Sequence, residues 1–232
     1  MNSVQASQSI MSFESNEVAV IENQSIPPGG KIYIASMNMR GSHGTNPPGS
    51  TRLNVTSTQR KNAQERYDFS PMTHKEGGYK EFWNFESFWQ SGKIFEGVSR
   101  SQSLGWWMNV KEPRRRYPKG KGKRVLYATW DSVYPEQMDY VTSRKKVYVP
   151  NYYNYIKDSE SAKKWKDLVV SGRDVTVYDF DGVRKENGDV DTKEVTLELL
   201  KEKIEDTHFP FGHGYVVASL LANIPIESFT WP

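Results

Sequence analysis

Apolar positions in this chain come in short runs set between long polar stretches, and the period of the runs changes along the sequence. Lys31-Ile32-Tyr33-Ile34-Ala35 is a nearly continuous apolar run of the kind that forms a buried strand. Arg52 to Val55, Val125 to Thr129, Lys146 to Val149 and Asp174 to Phe180 also read as strands, rich in β-branched and aromatic residues. Helical spacing takes over at Ser159 to Ser171, where Ala162, Trp165, Leu168 and Val169 share a face and Gly172 supplies the stop. It recurs at Thr196 to Asp206, and Tyr215 to Asn223 is a more apolar helix that ends before Pro225. The aromatic segment Tyr79 to Phe95 is expected to be mostly helical. Strands alternating with helices predict an α/β fold, with mixed α+β as the neighbouring alternative: a mixed sheet flanked by helices.

The polar intervals mark the organisation. Residues 1–30 carry one apolar cluster, Val18 to Ile21, and end in Pro27-Pro28-Gly29-Gly30, so they read as an irregular arm or short edge strand before a single α/β domain over 31–232. Ser36 to Ser50 is a Gly/Pro/Asn/Ser-rich loop, and Thr56 to Gly78 is turn-rich with Phe69-Ser70-Pro71-Met72 as its apolar knot. At 232 residues and 36% hydrophobic content the chain is long enough for a full core. Aromatic residues make up 13%, enough both to fill that core and to line a binding surface. There is no cysteine, which excludes disulfides, thiol catalysis and Cys-based zinc sites. No apolar run approaches the roughly 20 residues of a membrane span, and the N-terminal residues lack the pattern of a signal peptide. A soluble, intracellular protein is expected.

A net charge of +3, from 31 basic and 28 acidic residues, does not identify a nucleic-acid binder unless the charge is clustered. It is clustered once. Between Arg114 and Arg124 there are seven basic residues and no acid, and Arg114, Arg115, Arg116, Lys119 and Lys121 are the candidate phosphate contacts of a polynucleotide or, in the plainer alternative, a solvated loop.

Four further constellations carry possible chemistry. In a helix Glu86, Trp89, Gln90 and Lys93 fall at i, i+3, i+4 and i+7, an acid, a ring, an amide and a base on one face. Such polar groups at core-like spacing are costly unless they pair or line a pocket. Asn38 and Arg40 lie in the loop after the first buried strand, where open α/β sheets place ligands, and Arg40 suits a phosphate or carboxylate. The Walker and dinucleotide spacings are absent there. Asp179 and Asp181 flank Phe180 before Gly182 at a strand end, placed to act as a base or as oxygen ligands of a metal, although an ordinary Asx-Gly turn explains the same residues. Gly212-His213-Gly214 at a helix entry offers backbone N–H groups to an anion and an imidazole for proton transfer. The four histidines, 43, 74, 208 and 213, lack zinc-pair spacing, so no metal and no cofactor is expected.

The stretch Glu86-Ser87-Phe88-Trp89-Gln90-Ser91-Gly92-Lys93-Ile94, with Asn84-Phe85 before it, resembles the Glu-x-x-aromatic-Gln-small-x-Lys-apolar signature of the NADAR family of N-glycosidases. That resemblance implies Glu86 as the catalytic residue, with Trp89, Gln90 and Lys93 around the substrate. The series strand, Asp179 to Gly182, helix, Gly212 to Gly214 and apolar helix is similar in layout to small Rossmann-like, nucleotide-associated domains of phages and large DNA viruses. The function expected is therefore a nucleotide- or nucleoside-processing hydrolase that cleaves an N-glycosidic bond, with Glu86, Asp179 and His213 as its catalytic residues. The competing expectation is a non-catalytic nucleic-acid-binding or viral structural protein, centred on the basic loop.

Overall fold

A computed structural model describes residues 29–130 and 133–231. The expected arm lies outside these apart from Gly29 and Gly30, as does its Val18 to Ile21 cluster. The main sheet has β1 (Ile32–Ser36), β2 (Thr51–Asn54), β6 (Val175–Asp179) and β7 (Thr192–Glu194) in the order β2-β6-β1-β7. β6 runs parallel to both neighbours, with Val175 opposite Ile32 on one side and Thr51 on the other, and β7 closes the far edge antiparallel to β1. All five residues of β6 are buried, as befits a central parallel strand covered on both faces. The sheet is thus mixed and flanked by helices, as the alternating pattern predicts. Helix α8 (His213–Leu221) lies against β1 and β6 and is buried along its whole length, which is why its sequence is apolar on every side.

A second, antiparallel sheet of β3 (Lys93–Phe95), β4 (Val125–Trp130) and β5 (Tyr134–Met138) stands beside α2 (Phe85–Ser91). Much of the aromatic content is used here. Phe85 packs on Tyr79, Tyr148 and Tyr152, and Trp89 stacks on Trp130 with centroids 5.3 Å apart. The Trp130 indole N–H donates to the Phe88 carbonyl at 2.9 Å. Gly92, at the end of α2, is required by space: a Cβ there would come within 2.2 Å of that indole.

Three expectations need correction. The segment Tyr79 to Phe95 is helical only over the seven residues of α2, and Lys93 lies on a strand. The stretch Thr56 to Gly78 holds a short helix, α1 (Gln64–Phe69), and Arg100–Asn109 forms α3. Lys146 to Val149 is not a strand. It belongs to a helical run, α4 (Tyr140–Ser143), a π turn (Arg144–Tyr148) and α5 (Val149–Ile156), started by Asp139, whose carboxylate accepts the Thr142 N–H at 2.6 Å. The run Val147-Tyr148-Val149-Pro150 has β-type local preference, but Val147, Val149, Tyr152 and Ile156 are all fully buried, and tertiary burial overrides that preference. The wide turn, closed by the Val149 N–H on the Arg144 carbonyl, falls just before Pro150, which has no N–H to continue a tight ladder.

Candidate functional site

The parallel strands β2 and β6 end on the same side of the sheet, and a cavity of about 520 Å³ opens beyond them. Thr56 and Ser57 line it after β2, Asp179, Phe180 and Asp181 at the end of β6, Gly212 and His213 at the start of α8, Glu86, Trp89 and Gln90 from α2, and Lys93 from β3. Arg115, Arg116, Lys121 and Lys123 close one wall, and Tyr140, Arg144 and Tyr148 another. The α2 motif, the aspartate pair and the Gly-His-Gly entry, far apart in sequence, therefore share one cavity.

Asp179 is the structural centre of the wall. One of its carboxylate oxygens accepts the Gly214 N–H at 2.8 Å and faces His213 Nδ1 at 3.1 Å. His213 Nε2 faces the Val55 carbonyl at 3.0 Å, which accepts only. Both ring nitrogens thus point at oxygen atoms, which fixes the imidazole between Val55 and Asp179. The backbone approach depends on two glycines: a Cβ on Gly212 would lie 2.5 Å from the Asp179 carboxylate and one on Gly214 2.6 Å from Asp179 Cβ. This corrects the expectation that Gly214 offers its N–H to a ligand, because the chain's own Asp179 already takes that position.

Asp181, two residues on, stands in a different environment. Burial pushes its pKa up to about 6, the neighbouring Asp179 charge adds to that, and His213 opposes it. Gln90 Nε2 donates to Glu86 Oε1 at 2.8 Å, the i, i+4 contact of α2. Burial raises the Glu86 pKa, against the opposing pull of the Gln90 hydrogen bond, Lys93, His213 and Arg115. Burial lowers that of Lys93, against the Glu86 charge. Trp89 is largely core, stacked on Trp130 and tilted against Tyr148, and it also lines the cavity.

Other expected site residues fall elsewhere. Arg40 is exposed in the turn after β1 and does not line the cavity. Asn38 is held within that turn, its side chain donating to Ser42 Oγ at 3.2 Å and accepting from Arg184 Nη2 at 3.2 Å, so the loop satisfies itself. Arg114 is ion-paired with Glu112 and Lys119 sits on a short 3₁₀ turn, both outside the lining, whereas Arg115 reaches over the Phe180 ring, its Cζ 5.4 Å from the centroid. Sequence reasoning missed Tyr140, Arg144 and Tyr148. Only the Asp139 helix start before them and Pro150 after them hint at the helical run that carries them. Among the described residues no group of three or more His, Asp or Glu is arranged to hold a metal ion, and no helix is long and apolar enough to cross a membrane. No protein-family model, curated protein or solved structure matches this chain.

Proposed function

We propose that this protein hydrolyses an N-glycosidic bond in a nucleotide-type or ADP-ribose-type substrate. The observation that carries the reading is the gathering of Glu86 and Asp181, with cations and aromatic rings, around one cavity at the C-terminal ends of parallel strands. The resemblance of residues 84–94 to NADAR glycosidases supports it independently. In such a reaction the C1′–N bond breaks through a cation-like sugar and water supplies a hydroxyl to C1′; a purine or pyrimidine leaves by taking a proton, whereas the nicotinamide of NAD leaves already neutral and the proton from water is released. Glu86 is assigned as the carboxylate that faces the developing positive charge and takes a proton from the attacking water; burial raises its pKa, which suits a proton acceptor, and Gln90, Lys93 and His213 oppose that rise. Asp181, with a pKa of about 6, is assigned as the acid that protonates the base. Asp179 holds His213 in place rather than touching substrate.

The test is chromatographic detection of free base from nucleoside 5′-monophosphates, NAD and ADP-ribose incubated with the purified protein. Release is expected, and Glu86→Gln is expected to lower it by roughly 10²–10⁴-fold. Product formation indifferent to Glu86→Gln overturns the mechanism. Absence of product from every substrate, together with salt-sensitive polynucleotide binding, replaces the reading with a nucleic-acid-binding module.

A further inference from the structure

Arg144 is only 2% exposed, and no carboxylate lies within ion-pair distance of it among the described residues. Its Nη1 donates to the carbonyls of Lys203, Ile204 and Asp206 at 3.3, 3.2 and 2.9 Å, at the C-terminal end of α7 (Leu197–Glu205). Those dipoles suit a cation but engage a single nitrogen. Nε and Nη2 are buried and make no well-formed hydrogen bond, the Tyr140 hydroxyl being the one side-chain group among the described residues that interacts with the guanidinium. They form the side-on edge of the guanidinium, the edge that takes a carboxylate or phosphate through two parallel N–H bonds. A buried guanidinium answered by carbonyl dipoles and a ring but by no full negative charge is costly, and a bound anion relieves it.

The surroundings say which anion. Arg144 lines the cavity and opens the π turn, a local distortion frequent at functional sites. Tyr140 covers the guanidinium, with Cζ 4.1 Å from the ring centroid, and is itself 44% exposed. Six Lys or Arg side chains line the cavity against three carboxylates, of which Asp179 is already paired with His213. That excess of positive charge matches a dianionic phosphate better than a single carboxylate.

We propose that the Nε–Nη2 edge of Arg144 seats a phosphate group of the ligand, with the 115–123 loop adding positive charge around it. The subsite rests on the proposed function only for the identity of the rest of the ligand. Titration calorimetry of the purified protein with inorganic phosphate and with pyrophosphate tests it. Arg144→Gln is expected to weaken phosphate binding by roughly ten- to a hundredfold. Arg144→Lys, which keeps the charge but not the fork, is expected to recover part of that loss, and Arg114→Ala, outside the cavity, to change nothing. Unchanged affinity in a folded Arg144→Gln protein overturns the proposal. Should that variant fail to fold, diffraction from wild-type crystals grown in phosphate decides: density at Nε and Nη2 supports the subsite, and phosphate seen only on the 115–123 loop, or nowhere, removes it. Phosphate seated at Arg144 without turnover of any glycoside leaves the subsite standing and removes the glycosidase reading. Turnover together with Arg144-independent phosphate binding does the reverse.

Discussion

Asp179 and Asp181 are chemically identical and two residues apart, yet their surroundings differ. Asp179 is 1% exposed and its charge is answered by His213 and the Gly214 N–H. Asp181 meets burial and the Asp179 charge, which raise its pKa from 3.8 to about 6. A carboxyl raised on folding binds more protons in the native than in the unfolded state across that window. Its contribution to stability therefore declines as pH climbs from about 4 to about 6, and is constant below and above. Asp181→Asn removes the titration. The melting temperature of this variant relative to wild type is expected to rise between pH 4 and pH 7, and a flat difference would place Asp181 in an ordinary environment. The glycines around Asp179 make a second case. Gly214→Ala forces a Cβ to within 2.6 Å of Asp179 Cβ and 3.1 Å of Ile34 Cδ1. It is expected to cost about 1–3 kcal/mol in denaturant unfolding. Both motifs stood out in the sequence, but their contact did not. Gly214 therefore read as a ligand donor, although its N–H is used to fix an aspartate.

Helix α2 brings Glu86 and Gln90 to the cavity, and its start depends on Asn84. The buried Asn84 side chain accepts the Ser87 N–H and donates to the Met72 carbonyl, both at 2.8 Å, tying the helix entry to the Phe69 to Met72 knot. Asn84→Ala removes the cap and leaves the Met72 carbonyl without that donor, at an expected cost of about 1–3 kcal/mol by chemical denaturation. The Asn84→Asp change keeps the acceptor for Ser87 but sets a buried carboxylate oxygen against the Met72 carbonyl, so it is expected to cost at least as much. α6 (Glu160–Val170), α7 and α8 were visible from apolar spacing, with Gly172 as the stop of α6, whereas α2 was legible only as part of a longer helical segment. The run from Tyr140 to Ile156 was not, because its residues favour strand locally and become helical through burial against the rest of the fold. That misreading hid Arg144, since a residue just before a presumed strand carries no sign of facing a pocket.

At the scale of the molecule, the alternation of periods was sufficient to predict an α/β layout, whereas the cavity depends on pairings between segments roughly a hundred residues apart that no local pattern encodes. The main sheet and the antiparallel sheet share one apolar cluster, reaching from Ile34 and Val177 through Phe85 and Trp130 to Tyr152 and Val216. The cavity lies where they meet, lined from β6 and α8 on one side and from α2, β3 and β4 on the other. A ligand there is held by both halves, so its binding energy acts on the unfolding of both. Far-ultraviolet circular dichroism, which follows the backbone, and tryptophan fluorescence, weighted by the buried Trp89, Trp107, Trp130 and Trp165, are expected to report one coincident melting transition. At about a hundred times its dissociation constant, a ligand seated in this cavity adds about 2.7 kcal/mol to stability, and both signals are expected to move up together. If the two signals separate, the parts of the fold on either side of the cavity unfold separately, and the cavity lies between units that open independently.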